Sequence, residues 1–466
     1  MPPFPSFPQQ LTKGVMVRYR PSLTTAAVAV VAAALSLTGC SSSSSKSAAA
    51  GSSSSTSSAS SPSATSSSSA ASAPSSSSSA PPVRDPNTDL VIWTDAQRAP
   101  VLQQFAQSFA SANGISVSVQ PVATDLQSAY VTATAAGKGP DIVVGATDWI
   151  GNLVQNGAIS PLPLAASQKS AFETTALNAV TYNGQVYGVP YATENLALIT
   201  NTGEAASNPA TFEAMVADGQ AAVKAGKASE ALAMQIGQQG DPYTAQPLLG
   251  SAGGFIFGTK ADGSYDPAQV GVDNAGSKAF AAQLAKYGEK GQNVFKRSID
   301  ANNAVSLFTS GKTPYLISGP WALEQVRKAG LKYAISPVPG FAGMGPSAPF
   351  VGVQAFYVSA KAKNTALAQE FTLNYLTKKD VEEALYKVDP RAPALTEAYN
   401  DVSKTDPDIA AFQAAAAHGV VLPQIPAMSA VWGPLGIAEA AIVGGADPNT
   451  AMTNAATQIK AAIAKG

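Results

Sequence analysis

From residue 89 onward the apolar positions alternate between two periods. Leu90-Val91-Ile92-Trp93 is an unbroken apolar run of strand length. Val101, Leu102, Phe105 and Phe109 then recur at helix spacing, and Asn113-Gly114 supplies a stop signal. Ile115, Val117 and Val119 alternate with polar residues, the pattern of a half-buried strand. A second helical stretch from about Asp125 to Ala136 stops at Gly137, and Asp141-Ile142-Val143-Val144 reads as a third strand. This β-α-β-α-β order predicts an α/β lobe with a largely parallel sheet.

The stretch Tyr182–Asn195, YNGQVYGVPYATEN, breaks the alternation. Asn183-Gly184 between two runs rich in Val and Tyr predicts a hairpin. Pro190 has no N–H to give to a ladder and is expected to stop ordinary strand pairing. Glu194 follows it. Spacing alone leaves two readings open: a surface hairpin with an exposed carboxylate, or a strand leaving one lobe, a hinge, and a carboxylate at the mouth of a cleft. Residues 196–350 carry further elements of their own. Strands are predicted at Leu196–Ile199 and Thr313–Ser318, and a hairpin around Phe255–Tyr265. Helices are predicted at Pro209–Ala225, after Asp241-Pro242-Tyr243, and at about Asn274–Lys290 and Asn302–Ser310. A strand (Val351–Val358) and a helix (Thr365–Leu376) come next, and the tail from Pro407 is mostly helical, broken at Pro423-Gln424-Ile425-Pro426. No internal repeat is evident.

The first 88 residues have a different character. Lys13, Arg18 and Arg20 precede an apolar stretch from about Thr24 to Leu37, too short and too rich in small residues for a transmembrane helix, so it reads as an export leader that starts at Met1 or Met16. It ends in Leu37-Thr38-Gly39-Cys40, which resembles the bacterial lipoprotein signal; residues 1–39 are then expected to be removed and Cys40 to carry lipid. Cys40 is the one cysteine of the chain, which excludes an internal disulfide and a thiolate metal site. Ser41 to about Pro82 is almost entirely Ser and Ala and is expected to be disordered, a tether of roughly 30–40 Å r.m.s.. Net charge is −1 over the whole chain, and the leader removes three cations and no anion, so nothing favours nucleic acid.

The catalytic inventory is thin. His418 is the one histidine, next to Gly419 where a helix is expected to end, so a centre of several His is excluded. No Walker A loop, Rossmann fingerprint or nucleophile elbow occurs. Glu194 and Asp241 could form a glycosidase acid/base pair, but spacing does not fix their separation. The remaining signal is aromatic residues beside polar ones near strand ends: Trp321 after Ser318-Gly319-Pro320, Trp432 after Met428-Ser429-Ala430-Val431, and Tyr243 after Asp241-Pro242. Flat rings with carboxylates and amides nearby suit a ligand cleft, although core packing is the default for any one aromatic. Trp93, in mid-strand, is expected in the core.

Taken in order, LVIWTD, GKGPDIVV, AVTYNGQVYGVPYATENLALITN, DPY, VGVDNAGSKA, ISGPWAL, PFVGV and LPQIPAMSAVW closely resemble the maltose/maltodextrin-type solute-binding proteins of ABC importers, from Leu90 to the C-terminus. The resemblance implies a two-lobed α/β fold of the periplasmic-binding-protein type, with lobe 1 at 89–193 and 355–392, lobe 2 at 194–354 and 393–466, and residues 40–88 as the lipidated cysteine and tether. Several hinge crossings join the lobes, and a sugar is trapped between them by closure. It implies sugar contacts at Glu194, Asp241, Tyr243, Trp321, Trp432 and Asp148, with Arg98 standing where a Lys touches sugar and Gln97 replacing an acidic neighbour. The chain departs from the pattern at Gly145, where a stacking Trp is usual, at Trp149, where an Arg is usual, and at Gly433, beside Trp432, where an aromatic is usual. The implied protein is a non-catalytic, lipid-anchored, monomeric receptor on the outer side of the cell membrane, without cofactor or metal, which delivers an oligosaccharide (an α-glucoside by resemblance) to two permease subunits. A secreted hydrolase or lyase using Glu194 and Asp241, and a sugar sensor on the same fold, are the competing readings.

Overall fold

The computed structural model describes residues 83–465 apart from Thr124, Ser207 and Asp262. The leader, Cys40 and the Ser-rich tract lie outside the described residues. Two sheets carry the fold. The first has the strand order Ala392–Pro393, Gly188–Asn195, Phe350–Val358, Ile142–Ala146, Leu90–Thr94, Val117–Pro121, with Val420–Val421 also paired to Phe350–Val358. Leu90–Thr94 runs parallel to both neighbours, as the β-α-β-α-β order predicts, and the helices Ala99–Asn113 and Leu126–Ala135 make the crossovers. All five residues of that strand are fully buried, as a continuous apolar run in a covered parallel strand should be. Gly114, at φ 64°, closes the first helix in the left-handed conformation that Asn113-Gly114 predicted.

The second sheet is smaller, in the order Tyr333–Ser336, Ala197–Asn201, Tyr315–Ser318, Ala233–Met234. Its side chains alternate between two apolar clusters. Leu198, Tyr315, Ile317 and Met234 belong to one, and Ala197, Ile199, Leu316 and Ala233 to the other. That is the period-two consequence of a pleated strand with a core on each side. The first sheet has its own cluster, drawn from Leu90–Ala192 and Val353–Ala398.

One short path joins the sheets. Gly188–Asn195 lies in the first sheet and passes through Leu196 into Ala197–Asn201 of the second. The hairpin before it forms as predicted: Thr181–Tyr182 pairs with Gln185–Val186 around Asn183 (φ 48°) and Gly184 (φ 76°). Pro190 departs from expectation. It does not stop pairing but sits inside Gly188–Asn195, opposite Ala355, because the strand bulges at Tyr191. The bulge breaks the ladder locally, and the outer neighbour Ala392–Pro393 pairs only with Ala192 and Thr193, so the missing N–H falls where the pairing is already interrupted. Trp93 is fully buried, as expected, and donates its indole N–H to Gln120 at 2.8 Å. His418 is exposed, three residues beyond the helix Pro407–Ala415. Two helices that the pattern did not predict, Lys379–Val388 and Thr396–Thr405, flank the segment Asp389–Leu395, which carries the chain away from the edge of the first sheet.

Candidate functional site

Glu194 is the second-last residue of the strand that joins the sheets, and its carboxylate is 9% exposed. It is not a free acceptor. Arg391, from the segment between the two unpredicted helices, forms an ion pair with its Oε2, and Gln354 donates to its Oε1 at 3.1 Å. Arg391 also pairs with Asp389, which in turn holds Arg98 at 3.0 Å, while Asp95 takes the other side of Arg98 at 2.5 Å. The five residues form an alternating chain of charge, Asp95–Arg98–Asp389–Arg391–Glu194. Burial alone would lower the pKa of Arg391, but the Glu194 and Asp389 carboxylates outweigh it and raise it. Each guanidinium therefore meets two carboxylates, and neither is left to neutralise an anion.

The aromatic residues gather on the far side of this chain. The Arg391 guanidinium lies 5.1 Å from the Trp321 ring, within cation–π range. Trp321 meets Tyr243 at 6.2 Å, Tyr243 meets Phe350 at 6.0 Å, and Phe350 meets Trp432 at 6.5 Å. Trp321, Trp432 and Tyr243 are half-buried, unlike Trp93. The Tyr243 hydroxyl is buried and has no partner in the protein. Burial pushes it well above the usual phenol value, and the charge on Glu194 adds to this. An orphaned buried hydroxyl beside an ion pair costs stability unless something binds it.

Asp148 and Trp149 come from the turn after the strand Ile142–Ala146. Burial pushes the Asp148 carboxyl up to about 7, opposed by a bond from its own backbone N–H and assisted by the charge on Glu194. Trp149 folds its indole back over Gly145: a Cβ built there would lie 2.0 Å from the Trp149 ring. Gly319 does the same for Trp321, at 2.1 Å. Gly145 is the second-last residue of its strand and Gly319 follows the strand Tyr315–Ser318, and each serves as the floor for an indole four or two residues later.

The other predicted residues are engaged elsewhere. Asp241 is the N-cap of the helix Pro242–Ser251, accepting from the Thr244 backbone N–H and hydroxyl at 3.0 Å each, and from Gln235. Burial raises its pKa, and these bonds oppose the rise. Two of its acceptor positions thus serve the cap and a third takes the Gln235 amide. Gln97 donates to the Val388 carbonyl at 2.6 Å, and Arg98 is buried against Tyr191 at 5.7 Å. Glu194, Asp148, Tyr243, Trp321 and Trp432 are thus linked by contact or charge, Trp149 stands one residue from Asp148, Arg98 is tied to the site through Asp389, and Gln97 is held at the Val388 carbonyl beside it. Sequence reasoning missed Arg391, Asp389 and Gln354. The charged pair around Pro390 was the available signal, but its partner Glu194 lies 197 residues away.

Two cavities adjoin this constellation. One of about 330 Å³ borders Glu194, Asn195, Pro320 and Tyr399; another of about 420 Å³ borders Asp148 and Trp432. A cavity of about 680 Å³ lies elsewhere, lined by Tyr182, Tyr265, Pro426 and Ile463, and touches none of the predicted site residues. Among the described residues no group of three metal-ligating side chains occurs.

Two α/β sheets joined where one strand of the first runs through Leu196 into a strand of the second, with aromatic and polar groups gathered beside the junction, define a two-lobed ligand-binding fold of the solute-binding class. Residues 104–411 match the family described as bacterial extracellular solute-binding protein, and the chain belongs to that family. It is 29% identical over 387 residues to a galactooligosaccharide-binding protein of Bacillus subtilis, covering 81% of this chain and 90% of that one. A maltotriose-binding protein of Pyrococcus abyssi is 28% identical over 356 residues, 74% of this chain and 75% of its own length. A maltooligosaccharide ABC transporter solute-binding lipoprotein of Streptococcus pneumoniae is 27% identical over 390 residues, 80% and 89% respectively.

Proposed function

We propose that the protein is an extracellular receptor that captures an oligosaccharide between its two lobes and delivers it to the permease subunits of an ABC importer, anchored to the membrane through lipid on Cys40 and acting as a monomer. The observation that carries the reading is the arrangement of half-buried Trp321 and Tyr243 rings against the Glu194–Arg391 pair, where strands of both sheets meet. Rings offer flat apolar faces to pyranose rings; Arg391 and the Tyr243 hydroxyl offer hydrogen bonds to hydroxyls. The lobes are taken as 89–193 with 355–392, and 194–354 with 393–466.

The ligand is a maltodextrin-type α-glucoside in the first reading. A galacto-oligosaccharide is the second, favoured by the likeness to the Bacillus subtilis protein across nine-tenths of its length. Hydrolysis is disfavoured: the Glu194 carboxylate is neutralised by Arg391 and that of Asp241 caps a helix, so neither is poised as acid or base. Titration calorimetry with both sugar series tests the reading. Trp321→Ala should weaken the best ligand by on the order of 2 kcal/mol, about thirtyfold. Unchanged affinity in Trp321→Ala, or no binding of any member of either series to the wild-type protein, would overturn it.

A further inference from the structure

The helix Trp432–Val443 reverses the usual placement of polar and apolar residues. Its Ile437 is 56% exposed, whereas Glu439, its one ionisable side chain, is 3% exposed. A buried carboxyl is ordinarily met by a cation or by several hydrogen-bond donors. Among the described residues no Lys or Arg pairs with Glu439, and its Oε1 is buried without a partner. Burial pushes its pKa well above the usual carboxylate value, the charge on Asp241 adds to the rise, and a hydrogen bond from the Asp241 backbone N–H opposes it. These surroundings favour the neutral acid. A position where the local rule of burial is broken in this way is where function is to be sought.

Trp432, Gly436 and Glu439 fall at i, i+4 and i+7 and so share one face of the helix. Trp432 stands at the candidate site. Gly436 lies directly against Gly240: a Cβ built on Gly240, which is at φ 72°, would sit 1.9 Å from the Gly436 carbonyl oxygen, and one built on Gly436 would sit 2.5 Å from that of Gln239. Glu439 then receives the N–H of the next residue, Asp241. Asp241 is the N-cap of the helix Pro242–Ser251, and Tyr243 is the second residue of that helix. The N–H of an N-cap residue has no partner within its own helix, so it can be fixed only from outside. One helix face therefore carries an indole of the site at one end and, at the other, grips the backbone from which the site's tyrosine starts.

Resting on the receptor reading, we infer that Glu439 is a positioning residue for sugar capture: by accepting from the Asp241 backbone N–H, it fixes the start of the helix Pro242–Ser251, and with it the Tyr243 ring, relative to Trp432. Glu439 touches no ligand itself. An apolar side chain of similar volume would fill the same space without the desolvation that a carboxyl suffers. What the carboxyl adds is the bond to Asp241 rather than stability of the core.

Titration calorimetry with the tightest-binding members of the maltodextrin and galacto-oligosaccharide series, paired with scanning calorimetry, tests this on the wild type, Glu439→Gln and Glu439→Leu. The glutamine keeps an oxygen that accepts from Asp241, so Glu439→Gln should bind within about twofold of the wild type. Glu439→Leu frees the Asp241 N–H to turn toward water and should bind about tenfold more weakly, while melting within about 2 °C of the wild type. Wild-type affinity in Glu439→Leu overturns the inference. So does a loss in Glu439→Gln equal to that in Glu439→Leu, or weaker binding of Glu439→Leu that comes with a larger fall in Tm, the mark of general damage to the core. Those three outcomes leave the receptor reading standing. Failure of every sugar to bind the wild type overturns the receptor reading, and the positioning role with it.

Discussion

Replacing Arg391 with methionine keeps much of the side chain's length and removes its charge. Glu194 would then be left in a site where its side chain is 9% exposed, with Gln354 as its one remaining hydrogen-bond partner. Removing one member of a buried ion pair costs about 3–5 kcal/mol, because the other charge stays desolvated without compensation. Asp389 suffers less, since Arg98 still holds it at 3.0 Å. For a folded part of about 380 residues, at roughly 2.1 cal/mol/K of unfolding entropy per residue, this corresponds to a fall in Tm of about 4–6 °C. Glu194→Gln in the same background removes the stranded charge and should recover most of the loss, so the double variant melts above Arg391→Met alone. Differential scanning calorimetry of the wild type, both single variants and the double variant at pH 7 completes the cycle. A Tm for Arg391→Met within 1 °C of wild type, or a double variant whose loss is the sum of the two single losses, would show that the pair is not the coupled, buried unit described above.

Three further outcomes follow from the same geometry. Asp148 titrates at about 7 in the folded protein against an ordinary value of 3.8, so between these pH values the folded state holds a proton that the unfolded chain has released; stability should fall as pH rises from about 4 to 7, and Asp148→Asn should remove that slope from a series of melting curves. Gly145→Val puts a branched side chain into the volume of the Trp149 indole, 2.0 Å from where its Cβ would sit, and should cost about 1–3 kcal/mol in urea unfolding while changing the intrinsic tryptophan fluorescence as the ring is driven off its floor; unaltered fluorescence would contradict the packing. Asp241→Ala removes the cap of the helix Pro242–Ser251 and should cost about 0.5–2 kcal/mol by thermal melt, whereas Asp241→Asn, which can still accept from Thr244, should stay near wild type.

The elements that could be read ahead of the structure were those whose burial is local in sequence. Leu90–Trp93 is apolar at every position because a central parallel strand is covered on both faces, and Asn183-Gly184 turns the chain because both residues sit at positive φ. Pro190 misled because the rule against proline in a strand concerns ladder bonds, and a bulge at Tyr191 breaks the ladder locally; nothing in residues 182–195 reveals that partner register. The helices Lys379–Val388 and Thr396–Thr405 were overlooked along with the segment between them, and with them went Arg391, whose importance depends wholly on Glu194 from far up the chain.

The candidate binding residues show the same division between residue type and place. A carboxylate at Asp241 matches a ligand-contacting position by type, yet its short side chain is drawn to the backbone N–H of Thr244 and becomes a cap. The aromatic at Trp149 is displaced by four positions from where a stacking ring was expected, yet the indole folds back over Gly145 and occupies that volume. Loss of the ring at 145 and gain of one at 149 are therefore a single change in space: the glycine is small because the tryptophan lies on it. Trp321 over Gly319 repeats the arrangement beside the second sheet, so two indoles, one at the end of a strand from each sheet, rest on glycine floors. A larger residue at either glycine would have to displace its indole, which is why the two glycines, rather than the tryptophans alone, set where flat apolar surface is available to a ligand.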